Sequence, residues 1–358
     1  MKPVILLGEG ARDADLEKVM NLECPVLTTW QAKDMVDNGH RNYFGSPGLY
    51  GNRIANKILY EADEVFVIGA RLSVWTVGYG QWTKASQIHV VDIDREELGK
   101  HLDVIRFNCS AAFYIDKMKP FYCKSWLSEC WQWANELPWI ESPTHDDPTG
   151  YIHSHQFVDV LQRFFSKDEI IVTDMGSAMV SAFQTLRLKP PQRLMTSGGL
   201  GEMGVALSAA IGASFGSGKK RVICLHCDGG MMMNLQELQT IIHHNLPIKI
   251  IVFENKGYTM IKGTQDNMNM KRTSVSPDSG VSFPDYRRLA QCFGFASCDV
   301  TTWDEFNKAI PQMFATDYPS LIVYHMDPEQ KLLPKIQPVV LADGTIMPPR
   351  FDKLSPQL

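Results

Sequence analysis

The sequence predicts an α/β protein built from two doubly wound, parallel-sheet domains. Three observations carry that prediction. Short apolar runs rich in Val and Ile recur along the chain, as strands buried on both faces require. Helix-like segments separate them, which is the rhythm of parallel sheets with helices on either side. Glycine-containing turns follow several of the runs, at the strand ends where such sheets bind ligands.

In order, Val4–Leu7 reads as a buried strand ended by Gly8-Glu9-Gly10, and residues 15–21 suit a helix. Residues 25–29 read as a strand, residues 51–61 as a helix with Ile54, Ile58 and Leu59 on one face, and residues 64–69 and 88–94 as two more strands. A Trp-rich helix is expected over 124–137, followed by a polar, Pro-containing segment over 141–150. The second half repeats the rhythm. Helices are expected over 157–165, 204–215, 234–243, 285–293 and 303–314, and strands over 169–173, 222–225, 248–253 and 321–324. From Asp327 the chain carries six prolines and little periodicity. The expected organisation is a first domain over 1–120, a linker with a helix over 121–150, a second domain over 151–328 and an extended tail over 329–358.

Composition narrows the function. Of the 358 residues, 44% are hydrophobic, enough for real cores, and the net charge of -5 lacks the basic balance of a nucleic-acid-binding surface. No stretch approaches the ~18–20 apolar residues of a membrane span, and the opening apolar run is too short for a signal peptide, so the expected compartment is the cytoplasm. The eight cysteines are scattered and read as reduced thiols. Cys224 and Cys227 form a CxxC, but no second pair completes a zinc site. Gly8 and Gly10 lack the third glycine of a dinucleotide fingerprint and read as a packing turn. His243 and His244 read as solvent-facing.

The segment richest in chemistry is Cys227-Asp228-Gly229-Gly230, then a helix, a strand, and Glu254-Asn255-Lys256-Gly257-Tyr258. Neighbouring parallel strands would bring Asp228 and Asn255 together at one sheet edge, though they lie 27 positions apart. The glycines would let the backbone approach a diphosphate, and the next helix would offer free N–H groups. A carboxylate (Asp228), an amide oxygen (Asn255) and the carbonyl of Gly257 suit Mg²⁺, which takes few protein oxygens and completes its shell with phosphate and water. Asp228 on its own also reads as a helix cap, Met203 and Met260 as core methionines, and Ser177 as a turn residue.

These residues resemble a family. Asp-Gly, the Asn-Leu-Gln-Glu-Leu helix, Asn-Leu-Pro, a strand and Asn-x-Gly-Tyr are similar to the GDG…NN signature of thiamine-diphosphate (ThDP) enzymes. Ser197–Gly204 resembles the family's Gly-Leu-Gly-x-Met-Gly turn, and Ile171–Gly176 its first diphosphate-side loop. In the front half, Pro3–Arg12, Gly48–Gly51, Ala62-Asp63, Gly69–Arg71 and Val91–Asp94 resemble the central domain of acetolactate synthase. Thr264-Gln265, Ser279–Tyr286, Ala342–Thr345 and Ser355-Pro356 resemble acetolactate-synthase-like proteins linked to bacterial surface polysaccharides.

The resemblance implies that Asp228, Asn255 and Gly257 ligate Mg²⁺, and that Gly176, Ser177, Gly229 and Gly230 lie against the diphosphate. Met203 would prop the bent cofactor and Met260 would line the substrate side, with Gly201 and Tyr258 in the same cofactor set. The implied activity is decarboxylation or carboligation of a 2-keto acid, as a lyase or transferase. FAD is not expected, because Tyr50 replaces a usual His and Leu72–Trp75 replaces a polar run. Cys227 stands for the first Gly of GDG, Glu254 for the first Asn of NN, and Ser177-Ala178 for a usual Gln-His. In that family a pyrimidine-binding domain precedes the segment that begins here and supplies an activating glutamate. Glu9 and Glu202 sit in other motifs, so no catalytic residue is assigned. The expectation is a homo- or hetero-oligomer drawing that domain from a partner. The alternative is a non-catalytic ThDP-fold protein that binds cofactor or a partner subunit.

Overall fold

The apolar runs fold as strands because only a sheet interior removes both their faces from water. The computed structural model describes the chain except residues 101–102, 142–148, 338, 341–344, 348 and 357–358. It divides into two units, Met1–Glu141 with Arg187–Pro190 and Leu333–Leu358, and Ser142–Leu186 with Pro191–Leu332. The polar segment expected to link the domains falls mostly on 142–148, outside the described residues, as do Ala342, Asp343 and Gly344.

The first unit runs β1 (Pro3–Leu7), α1 (Leu16–Met20), β2 (Val26–Thr28), α2 (Arg53–Glu61), β3 (Glu64–Ile68), α3 (Val74–Val77), β4 (Gln87–Asp92), α4 (Arg95–Gly99), β5 (Ile105–Asn108), α5 (Ala111–Lys117) and α6 (Lys124–Glu136). Its five strands are parallel, in the order β2-β1-β3-β4-β5. That order reverses direction between β1 and β3, where open α/β sheets bind ligands. Here the chain fills that point itself. Gly10 donates to the Gly69 carbonyl at 3.0 Å, and a Cβ on Gly8 would lie 2.2 Å from the same oxygen. The Gly8–Gly10 turn is the packing turn the incomplete fingerprint suggested. The returning segment is tied to the same core. Ile336, Phe351 and Leu354 are buried in it, and Asn56, itself fully buried, donates to the Phe351 carbonyl at 3.0 Å. Residues Val339–Val340 and Ile346–Met347 pair antiparallel.

The second unit runs α7 (Ser154–Leu161), β6 (Ile170–Thr173), α8 (Ser177–Thr185), β7 (Arg193–Met195), α9 (Val205–Gly216), β8 (Val222–Cys227), α10 (Asp228–Asn234), α11 (Leu238–His243), β9 (Ile248–Glu254), α12 (Thr259–Asn267), α13 (Tyr286–Phe293), β10 (Ala296–Val300), α14 (Trp303–Phe314) and β11 (Ser320–His325). Its six strands are again all parallel, in the order β10-β11-β9-β8-β6-β7. The chain leaves β6 toward β7 and then crosses back to β8, so the switch point lies between β6 and β8. Ala206 and Ala210 of α9, both fully buried, pack in the same core as Val172, Val222 and Cys224, which is the close approach its small residues allow.

The structure corrects two expectations here. The strand expected to stop at Leu225 continues to Cys227. The helix expected over 234–243 begins at Asp228, is broken by a 3-10 turn over Leu235–Glu237, and resumes as α11. Gly229 and Gly230 therefore lie inside the first helical turn, not in a loop before it. The helix α8 was not anticipated. All nine of its residues are buried, so it has no polar face to show a helical period.

Candidate functional site

The register of β8 on β9 pairs Cys227 with Phe253, which places the next residues of both chains side by side at the carboxyl edge. Asp228 opens α10 there, and Asn255 follows β9. The Asp228 carboxylate is almost fully buried. Its Oδ1 accepts the Gly229 amide at 2.7 Å, and its Oδ2 accepts the amides of Asn255 at 3.0 Å and Gly257 at 3.3 Å. Asn255 Nδ2 donates to Ser177 Oγ at 3.2 Å, and its Oδ1 accepts the Gly257 amide at 3.1 Å. The third strand end enters through β6. Gly176 follows it with φ of 126°, and a Cβ there would lie 2.9 Å from Cys227 Sγ. Ser177 is the first residue of α8. Its hydroxyl lies 3.6 Å from that sulfur, which also accepts the Ala178 amide at 3.5 Å.

The structure thus joins Ser177, Asp228, Gly229, Asn255 and Gly257 in one hydrogen-bonded cluster, with Gly176 packed beside it against Cys227. Gly201, Met203 and Met260 take no part in that network. Met203 and Met260 are half-buried, on the loop before α9 and in the first turn of α12. Tyr258 caps α12 at its start and lays its ring over Gly229, where a Cβ would meet Cε1 at 2.2 Å. A Cβ on Gly230 would lie 1.8 Å from Asp174 Oδ2. Both glycines answer to neighbouring side chains, a need the sequence reading, which referred them to a diphosphate, did not include.

Asp174 lies within the Ile171–Gly176 segment, and the sequence alone assigns it no role. It is fully buried. Its Oδ1 accepts the Gly204 amide at 2.8 Å, pinning the Gly199–Gly204 turn to the end of β6. Its Oδ2 faces His226 Nδ1 at 3.4 Å and makes no hydrogen bond among the described residues. Burial pushes the Asp174 carboxyl up to about 7 and the His226 imidazole down to about 4, so the neutral forms of both are favoured. The carboxyl therefore faces a neutral imidazole, and the contact is not an ion pair. A polar residue directly after an apolar run, two places before a glycine turn, was the available signal for Asp174. Nothing local marks His226, which alternation alone would make a core position.

The donor set fits a hard cation. Asp228 takes three amide hydrogens, yet no Lys or Arg among the described residues pairs with it. Burial chiefly, and then the charge of Glu254, push it up to about 7 against the opposing Gly229 hydrogen bond. A divalent ion would supply the missing positive charge. Among the described residues no group of three or more His, Cys, Asp or Glu forms a metal cage. An ion here would draw on Asp228, the Asn255 amide oxygen and backbone, with a ligand completing the shell, which is the preference of Mg²⁺. Cys224 and Cys227 are buried and not joined to each other, and neither belongs to a group of three or more His, Cys, Asp or Glu side chains among the described residues.

A cleft of about 580 Å³ opens beside this cluster, toward the β10 edge. Its walls include Glu254, Tyr286, Asp299 and His325. His325 bridges Glu254 at 2.7 Å and Asp299 at 3.0 Å, and Arg287 holds the other Asp299 oxygen at 2.8 Å. These charges satisfy one another, whereas the Asp228 carboxylate has no Lys or Arg partner among the described residues.

Fold and site together define an α/β protein with a cluster of buried oxygen donors at the carboxyl edge of a parallel sheet. The chain belongs to the thiamine pyrophosphate (thiamine diphosphate) enzymes. Residues 1–111 match the central domain of that family, and residues 174–324 match its C-terminal TPP binding domain. It is 30% identical over 356 residues to a probable acetolactate synthase large subunit of Methanococcus aeolicus, covering 92% of this chain and 59% of that protein. It is 29% identical over 352 residues to the acetolactate synthase isozyme 1 large subunit of Escherichia coli (strain K12), covering 94% and 60%. The chain therefore spans about 60% of the length of these relatives. Among the described residues no helix is long and apolar enough to cross a membrane.

Proposed function

We propose that this chain forms the diphosphate- and Mg²⁺-binding half of an acetolactate-synthase-like enzyme that acts on a 2-keto acid. The observation that carries the reading is the buried Asp228 carboxylate, ringed by N–H donors and lacking a cation, with Asn255 beside it. Asp228 Oδ2, Asn255 Oδ1 and the Gly257 carbonyl hold the metal. The start of α8, at Gly176 and Ser177, and the first turn of α10, at Gly229 and Gly230, present backbone amides to phosphate oxygens. Gly201 and Met203 lie on a turn fixed by Asp174, which gives that methionine a rigid base from which to support a bent cofactor. Tyr258 and Met260, at the start of α12, line the reaction side. When bound, thiamine diphosphate supplies a carbon nucleophile and an electron sink for 2-keto acid decarboxylation or carboligation.

The carboxylate on the aminopyrimidine side is proposed to come from outside these 358 residues, in the same polypeptide or a partner subunit. The proposed assembly is a homo- or hetero-oligomer, in which a pyrimidine-binding domain of one subunit meets this segment of another. The test is calorimetric titration of the protein with thiamine diphosphate, with and without Mg²⁺, beside Asp228→Ala. Mg²⁺-dependent binding that the variant loses supports the reading. Binding that ignores both Mg²⁺ and the substitution overturns it. Cofactor binding with no turnover of any 2-keto acid, even with a pyrimidine-binding domain added, would favour a non-catalytic role.

A further inference from the structure

We propose that Tyr286 is a positioning residue for Asp228, setting the metal-binding carboxylate by holding its backbone carbonyl; this rests on the reading of Asp228 as a metal ligand. The Tyr286 hydroxyl, on the first residue of α13, donates to the carbonyl of Asp228 across 58 residues of sequence. Its ring is 2% exposed, in the core with Val252, Ala290 and Val323. The helix itself is fixed at that end, because Asp285 accepts the Arg288 amide at 2.9 Å.

The Asp228 carbonyl lies in the opening turn of α10 and has two lone pairs, so it accepts from the phenol beside any helical partner. Asp228 is consequently held at both ends, its carbonyl by Tyr286 and its carboxylate by the amides of Gly229, Asn255 and Gly257. Fixing the peptide after Asp228 restricts the backbone rotation that would otherwise swing the carboxylate away from Asn255. A phenylalanine would keep the ring in the core and remove only the donor.

Tyr286→Phe isolates that donor, and Tyr324→Phe is the matched control. Tyr324 is also buried and also donates to a backbone carbonyl, that of Ile152, away from Asp228. Hydrogen exchange in the cofactor-free protein, read over peptides spanning residues 228–230 and 254–258, should be several-fold faster in Tyr286→Phe and unchanged in Tyr324→Phe. Calorimetric titration with thiamine diphosphate and Mg²⁺ should show about five-fold weaker binding for Tyr286→Phe alone, the scale of one hydrogen bond. A general loss of stability would move both variants and not these local readings. Exchange in Tyr286→Phe matching the wild type, or faster exchange with wild-type affinity, overturns the proposal. A wild-type protein that takes up no thiamine diphosphate with Mg²⁺ overturns the metal-site reading, and the exchange comparison then decides the role of Tyr286 on its own.

Discussion

The backbone amide of Asn255 donates to Oδ2 of Asp228 at 3.0 Å, linking two strand ends across 27 residues. Because Asn255 makes this bond with its main chain, the two residues differ in what their loss costs. Asn255→Ala keeps the amide and the bond. Asp228→Ala leaves the buried amides of Gly229 and Asn255 without that acceptor, while the Gly257 amide keeps Asn255 Oδ1. Denaturant unfolding of the cofactor-free protein should therefore place Asp228→Ala lower than Asn255→Ala by about 1–3 kcal/mol, while both lose Mg²⁺-dependent cofactor binding.

Two glycine substitutions should move stability in opposite directions. Gly230→Ala puts a methyl 1.8 Å from Asp174 Oδ2, and Asp174 cannot retreat without releasing the Gly204 amide. Such overpacking costs about 1–3 kcal/mol. Gly212 lies within α9, and nothing would stand within 4 Å of its added Cβ. Gly212→Ala should gain about 0.5–1 kcal/mol. Thermal unfolding of the two variants checks both signs.

The His325 bridge predicts a pH-dependent term. Its imidazole is raised first by the Glu254 hydrogen bond and then, against burial, by Asp299, whose other oxygen is held by Arg287. A histidine whose folded value exceeds its unfolded one, about 6.5, adds stability that is complete below the unfolded value. That stability is lost as pH rises through the folded value. The difference in unfolding free energy between wild type and His325→Gln should be greatest near pH 5.5–6 and shrink as pH climbs above about 6.5. A difference that grows with pH would mean the bridge does not favour the imidazolium.

Asn56 predicts how firmly the returning segment is held in the first unit. Its side chain accepts from the Gly48 amide at 2.9 Å and donates to the carbonyls of Gly48 and Phe351, each at 3.0 Å. Asn56→Ala leaves those groups unpaired, at about 1–3 kcal/mol for each that water cannot reach. Limited proteolysis should then cut after Leu333 at a protein concentration and time that leave the wild type intact.

The alternation of Val- and Ile-rich runs with helices was enough for the two parallel sheets, since strands buried on both faces are apolar throughout and stand out in a linear reading. Glycine turns and the spacing of Asp228 and Asn255 were legible for the same reason. Strand ends in a parallel sheet return to one edge, so residues directly after two runs must meet if the runs are neighbours. Less was visible where local pattern carries no direction. The wholly buried α8 shows no period, and β10, an edge strand reading Ala-Ser-Cys-Asp-Val, shows no apolar run.

What the sequence by itself determined is the architecture, the family and the pair of oxygen donors, because each rests on residues close in the chain or on the regular geometry of a sheet. Only the tertiary structure decided why Gly229 and Gly230 are glycines, that Asp174 anchors the Gly204 turn beside a neutral His226, and that Tyr286 grips the Asp228 carbonyl. Those contacts join residues 29 to 58 positions apart through side chains whose directions depend on how helices pack on the sheet. Packing of that kind is a property of the folded core as a whole and leaves no periodic trace along the chain.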